Sequence, residues 1–177
     1  MNMETTLREL LDKQAIQELV ARYSRTLDWL DDDGQAGCYW PDARVDYGFF
    51  KGTAAEFVPV VMEVERYTGR RWHLLAPLSI KLTSATTAEG ECYGIAVGLR
   101  REAEGEPYRG NMYGGRYLDT YEKRATANGE EWRISSRRYV MDWTLPMPDQ
   151  PDESPNPQFP LPMLDLTQSG HPDYRVM

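Results

Sequence analysis

The chain has 177 residues and a formal net charge of −8. That length suffices for one domain with a substantial core. The acidic balance excludes a basic stripe for nucleic-acid phosphates and disfavours anionic membrane surfaces. No apolar run approaches the roughly 20 residues of a membrane helix, and "MNMETTLREL" has no signal-peptide core, so a cytoplasmic chain is expected. Two histidines and two scattered cysteines, Cys38 and Cys92, do not make a zinc site, and the cysteines are expected to stay reduced. Calcium loops and nucleotide-binding glycine motifs are missing, so neither a metal nor a cofactor is expected.

In chain order, residues 5–30 read as helix, because Ile16, Leu19, Val20, Tyr23 and Leu27 recur at helical spacing. Leu7, Leu10 and Leu11 fall at another angle, which suggests Asp12 as the N-cap of a second segment and Gly34 as a C-cap. "AGCYWPDARVDYG" reads as a short helix to Trp40, a turn at Pro41-Asp42 and a strand ending near Tyr47. Residues 53–67 look helical around Pro59. From Trp72 to Leu82 the period becomes two, with Trp72, Leu74, Ala76, Leu78, Ile80 and Leu82 on one parity. Around His73 both parities are apolar, so both faces are expected to be covered.

"ECYGIAVGLRRE" is a strand with large residues on one face and Cys92, Gly94, Ala96 and Gly98 on the other, leaving room for a helix or a ligand. Two long strands follow, residues 108–124 and 131–143. Residues 144–177, which hold most of the twelve prolines, are expected to form an extended tail beyond a domain at 1–143. Helices followed by a run of antiparallel strands give an α+β class, with helices packed in a curved, cone-shaped sheet.

"DKQAIQELVARYSRTLD", "WPDARVDYGFFKG", "RRWHLL" and "EWRISSRR" together resemble the SnoaL-like branch of the nuclear transport factor two-like superfamily, over about residues 7–143. The likeness sharpens toward its lyases, hexachlorocyclohexane dehydrochlorinase and scytalone dehydratase. What the resemblance implies is a histidine base paired with a helix-end aspartate, here His73 and Asp28, a polarising tyrosine at Tyr47, and a closing-strand arginine at Arg137. The dehydrochlorinase's pocket lysine is replaced by Tyr23, which speaks against halide elimination. Tyr113, Tyr117, Tyr139, Trp40, Trp72 and Trp143 are candidate walls of an aromatic-lined pocket.

The chemistry is self-consistent. Imidazole is the usual base near neutral pH, and a carboxylate on its other nitrogen fixes the tautomer. Burial lowers the ring's pKa and Asp28 raises it, so the two are expected to offset in part. Phenol and guanidinium groups can stabilise an oxyanion or a leaving group. The expected activity is a cofactor-independent lyase on a small hydrophobic, aromatic molecule, by dehydration or, as the resemblance to some bacterial members of the superfamily implies, by retro-aldol release of formaldehyde from a lignin-derived diarylpropanediol.

Plainer readings stand beside each residue. His73 can be a satisfied core residue and Asp28 a solvated helix end. Tyr23 and Tyr47 can be packing aromatics, and one of Arg137 and Arg138 a surface residue. An isomerase or cyclase of the ketosteroid isomerase type, a dioxygenase small subunit and a simple ligand-binding module are the rival functions. Apolar residues on both parities of the 72–82 strand also predict a homo-oligomer.

Overall fold

A computed structural model describes residues 2–151, 158 and 167–177. The elements are α1 (Met3–Asp28), α2 (Asp32–Gly37), β1 (Tyr39–Asp46), β2 (Lys51–Thr53), α3 (Ala54–Tyr67), β3 (Arg70–Leu75), β4 (Ser79–Leu82), β5 (Thr87–Arg100), β6 (Arg109–Thr126) and β7 (Gly129–Pro146). The strands form one curved, unclosed sheet in the order β2-β1-β7-β6-β5-β3, with β4 also on β5. All pairs are antiparallel except β1 with β7. The helices lie in the hollow of this sheet, an α+β arrangement. Among the described residues no helix is long and apolar enough to cross a membrane.

α1 is one unbroken helix, started by Asn2, whose side chain accepts from the Glu4 N–H. Asp12 is not a cap: nothing near it breaks the helix. Its carboxylate instead accepts from Trp132 Nε1 at 2.8 Å and meets Lys123 Nζ at 2.7 Å. Ile16, Leu19, Val20, Tyr23 and Leu27 are buried, whereas Leu7, Leu10 and Leu11 are exposed. The helix ends at Asp28 because the chain reverses sharply through Leu30, at φ 51°. A non-glycine residue there costs about 1–2 kcal/mol. Gly34 is no C-cap either; its N–H bonds the Asp31 carboxylate at the start of α2. Pro41 and Asp42 lie inside β1, where a register shift against β7 between Tyr39 and Arg44 takes the place of the expected turn.

α3 opens with a capping box, Thr53 and Glu56 bonding each other's backbone N–H, and carries Pro59 within it. The expected strand 72–82 is two strands, because the chain leaves the ladder at Ala76–Leu78 around Pro77, which has no N–H to give. The interruption changes the facing. His73 and Leu75 point inward on β3, opposite Ala96 and Gly94, while Ile80 and Leu82 point inward on β4, opposite Gly90 and Ala88. Trp72 and Leu74 are left on the outer face, each about half exposed.

The glycines of β5 serve neighbouring tyrosines. A Cβ on Gly94 would stand 2.9 Å from Tyr117 Cε2, and one on Gly90 would stand 2.8 Å from Tyr121 Cε2. β7 runs on to Pro146, three residues beyond the expected end of the domain at 143. Most of the expected tail, 152–157 and 159–166, lies outside the described residues. The stretch 167–177 returns to the end of α1: Tyr174 Oη donates to Asp31 Oδ2 at 2.6 Å, and the Trp29 ring meets the rings of His171 and Tyr174.

Candidate active site

The hollow between sheet and helices contains a cavity of about 680 Å3, lined among others by Tyr23, Tyr47, Glu65, His73, Tyr113, Tyr117 and Tyr139. That volume suits a drug-sized ligand. Different elements bring these side chains together. Tyr23 sits on the buried stripe of α1, Tyr47 just past β1, Glu65 on the last turn of α3, and His73 on β3.

His73 is tied to the end of α1. Its Nδ1 lies 2.7 Å from Asp28 Oδ1, and its backbone N–H donates to Asp28 Oδ2 at 3.1 Å. One carboxylate thus holds both ring and backbone. This fixes the proton on Nδ1, aims Nε2 away from Asp28, and leaves Nε2 as the basic atom. Asp28 is held in turn. Arg71 donates to the Asp28 carbonyl at 3.3 Å and to the Glu65 carbonyl at 2.9 Å. Thr167, from the returning tail, bonds both Arg71 and the Asp28 carbonyl.

Burial opposes the imidazolium form of His73. The Asp28 hydrogen bond and the nearby carboxylates of Glu65 and Asp28 outweigh it, so the ring's pKa stands above its ordinary value. The balance expected from sequence omitted Glu65, whose Oε1 lies 3.8 Å from Nε2.

Across the cavity, the Tyr23 and Tyr47 hydroxyls are 2.7 Å apart. Burial raises both phenol pKa values, so both are neutral at physiological pH. Of their two hydroxyl protons one lies between the oxygens, and the other is free to be donated. Tyr47 is stacked between Phe57, at 4.7 Å, and Tyr139, at 5.3 Å, so its ring cannot swing.

The remaining expected residues divide by position. Tyr113, Tyr117 and Tyr139 line the cavity. Arg137 does not. It is fully buried beneath it, with Nε and Nη2 on Asp119 at 2.9 and 2.6 Å and Nη1 on the Tyr39 hydroxyl at 3.3 Å. Its guanidinium lies 4.0 Å from the centre of the Tyr23 ring; the next residue, Arg138, is exposed and is among the residues lining the cavity.

The three tryptophans are elsewhere. Trp40 is packed with its Nε1 on the Glu122 carbonyl, within the β1 register shift. Trp72 and Trp143 face outward because strand parity sends them to the face opposite His73 and Tyr113. Glu65 is a cavity residue that sequence reasoning missed. Its one signal was spacing: it falls four residues after Val61 and three after Met62, beside the buried stripe of α3. Cys38 and Cys92 are both free and buried, and burial pushes the Cys92 thiol up to about 11.

A model of the SnoaL-like domain matches residues 8–138. No curated protein matches the chain. Among solved structures, a hexachlorocyclohexane dehydrochlorinase, LinA type 2, superposes with a TM-score of 0.70 at 18% identity, over 85% of this chain and 98% of that one. A candidate scytalone dehydratase from Novosphingobium aromaticivorans gives 0.66 at 20%, over 85% and 99%. LinA type 3 from Novosphingobium barchaimii LL02 gives 0.66 at 21%, over 80% and 94%.

Proposed function

The chain belongs to the SnoaL-like domain family, and from that membership and the cavity's geometry we propose that it is a lyase acting on a small, hydrophobic, aromatic compound without a cofactor. The observation that carries this reading is the His73–Asp28 pair, at 2.7 Å, with Nε2 turned to an aromatic cavity. His73 takes a proton, and Asp28 holds the tautomer and stabilises the imidazolium. The free hydroxyl of the Tyr23–Tyr47 pair donates a hydrogen bond to a carbonyl or alkoxide oxygen on the substrate. Arg137 acts from below, holding Tyr23 in place. Dehydrochlorinase and dehydratase neighbours of the same fold support elimination chemistry. Retro-aldol release of formaldehyde from a lignin-derived diarylpropanediol needs the same base and phenol donors.

An aromatic β-hydroxy ketone tests both forms at once. Dehydration yields an enone, and carbon–carbon cleavage yields an aldehyde and a ketone. Asp28→Asn should slow either reaction at least tenfold, through loss of tautomer control. Equal rates in wild type and Asp28→Asn would remove the dyad from the mechanism. An isomerase is the second reading, favoured by the cavity-facing carboxylate of Glu65. It would return a product of unchanged mass.

The same reading extends to assembly. Trp72, Leu74, Tyr93, Trp143 and Leu145 are all more than 40% exposed, and the first four border one outer-face depression or its edge on β3, β5 and β7. A second copy covers this face. Sedimentation at micromolar concentration is expected to give a mass above that of one 20.4 kDa chain, and Trp72→Asp to lower it. A monomeric wild type would remove this proposal.

A further inference from the structure

The base and the phenol pair leave a largely buried carboxyl group in the cavity without a task. The Glu65 side chain is only 13% exposed. Its Oε2 lies 3.9 Å from Arg71 Nε, which already donates to Glu65's own carbonyl. Among the described residues neither carboxyl oxygen accepts a hydrogen bond. A largely buried carboxylate without one is costly, so the carboxyl competes with His73 Nε2, 3.8 Å away, for one proton. Burial raises the carboxyl's pKa above the ordinary value, with His73 and Arg71 opposing and Asp28 adding to the rise. Position on the last turn of α3, at the negative end of the helix dipole, acts in the same direction.

The second partner is spatial. The 3.8 Å between Glu65 Oε1 and His73 Nε2 is too long for a direct hydrogen bond, so Nε2 can meet a substrate C–H while Oε1 meets the oxygen on the neighbouring carbon. Both side chains also line a smaller adjoining cavity. The charged and titratable groups facing Glu65 are His73 and Arg71 from β3 and Asp28 from α1, with Arg100 of β5 and Arg109 and Tyr113 of β6 along the smaller cavity.

We propose that Glu65 is a catalytic residue, the acid that protonates the departing oxygen while His73 removes the substrate's C–H proton. This rests on the lyase reading. In the elimination the C–H bond breaks and its electron pair forms the new C=C bond. The C–O bond breaks, its pair stays on oxygen, and that oxygen takes the Glu65 proton and leaves as water. The site is then an imidazolium beside a carboxylate. Passage of the Nε2 proton to Glu65 restores both groups, with no outside donor.

The test is Glu65→Gln, which keeps size and polarity, read in two ways. The first is the NMR titration of the His73 ring, assigned against His171→Gln. While the shared proton sits on His73, the Glu65 carboxyl is its negative neighbour, so losing that neighbour should move the midpoint down. The second compares an aryl β-hydroxy ketone with its β-chloro analogue, whose chloride leaves without a proton. Glu65→Gln should lose about 100-fold on the alcohol and under about tenfold on the chloride, with the loss in kcat rather than KM.

An unmoved midpoint, or equal losses on both substrates, would overturn the assignment. Selective loss in Glu65→Gln while His73→Gln stays active would sink the base assignment and leave the acid standing. If the wild type turns over neither compound, the lyase reading falls and the acid role falls with it.

Discussion

Replacing His73 with Gln is expected to reduce turnover about 100-fold or more, the usual contribution of a positioned base. Gln fills a similar space and can keep a hydrogen bond to Asp28, so the fold should survive and the loss should appear in kcat. The pH profile carries a second signature. The base works as neutral imidazole. Its pKa is held above the ordinary value because the Asp28 bond and two nearby carboxylates outweigh burial. The rate at limiting substrate should therefore fall as pH drops through that raised value, and the acid limb should sit above the ordinary histidine range. If the imidazole and the Glu65 carboxyl share a proton, the limbs belong to the pair rather than to either group. A His73→Gln enzyme that keeps most of its activity and the same acid limb would assign the base to another group, with Glu65 the first to test.

Removing one partner of the Asp119–Arg137 pair should give the largest loss of stability. Both side chains have zero exposure, and two hydrogen bonds of 2.9 and 2.6 Å join them. Tyr121 Oη donates to the same carboxylate at 2.9 Å, and Tyr39 receives the guanidinium's remaining edge. Arg137→Met leaves a buried carboxylate without its counter-charge, at a cost of about 3–5 kcal/mol. That is a large part of the 5–15 kcal/mol typical of a whole domain. Urea unfolding of the variant should show a strongly lowered midpoint, and the double replacement Asp119→Leu, Arg137→Met should recover much of it, because no lone charge remains. A single variant as stable as the wild type would mean that the pair is not buried as described. Arg137 also lies against Tyr23, so the single variant should lose activity even under conditions where it stays folded.

Much of the architecture was legible because it follows from local periodicity. The buried stripe of α1, the change of period at β3, and the two long hairpin strands each repeat a pattern that a single element imposes on its own side chains. The failures share another character. Asp12 looked like a cap because a carboxylate inside an apolar helix had no visible partner; its partners, Trp132 and Lys123, arrive from strands more than 110 residues away. Trp72 and Ile80 have the same parity in the sequence but face opposite ways, because the chain leaves the ladder around Pro77 and rejoins β5 with its facing reversed.

The site divides along the same line. Residue types and their order gave the family, the α+β class, and an imidazole and a carboxylate that could meet across 45 positions. Only the tertiary structure decided which groups share the cavity. It sends Arg137 below the floor, turns Trp72 and Trp143 outward, and brings Glu65 to 3.8 Å from Nε2. The physical reason is that composition and periodicity fix which face of an element is apolar, whereas a side chain's protonation and its reach to a ligand depend on charges and surfaces contributed by other elements. Those neighbours exist only once the helices are seated in the sheet.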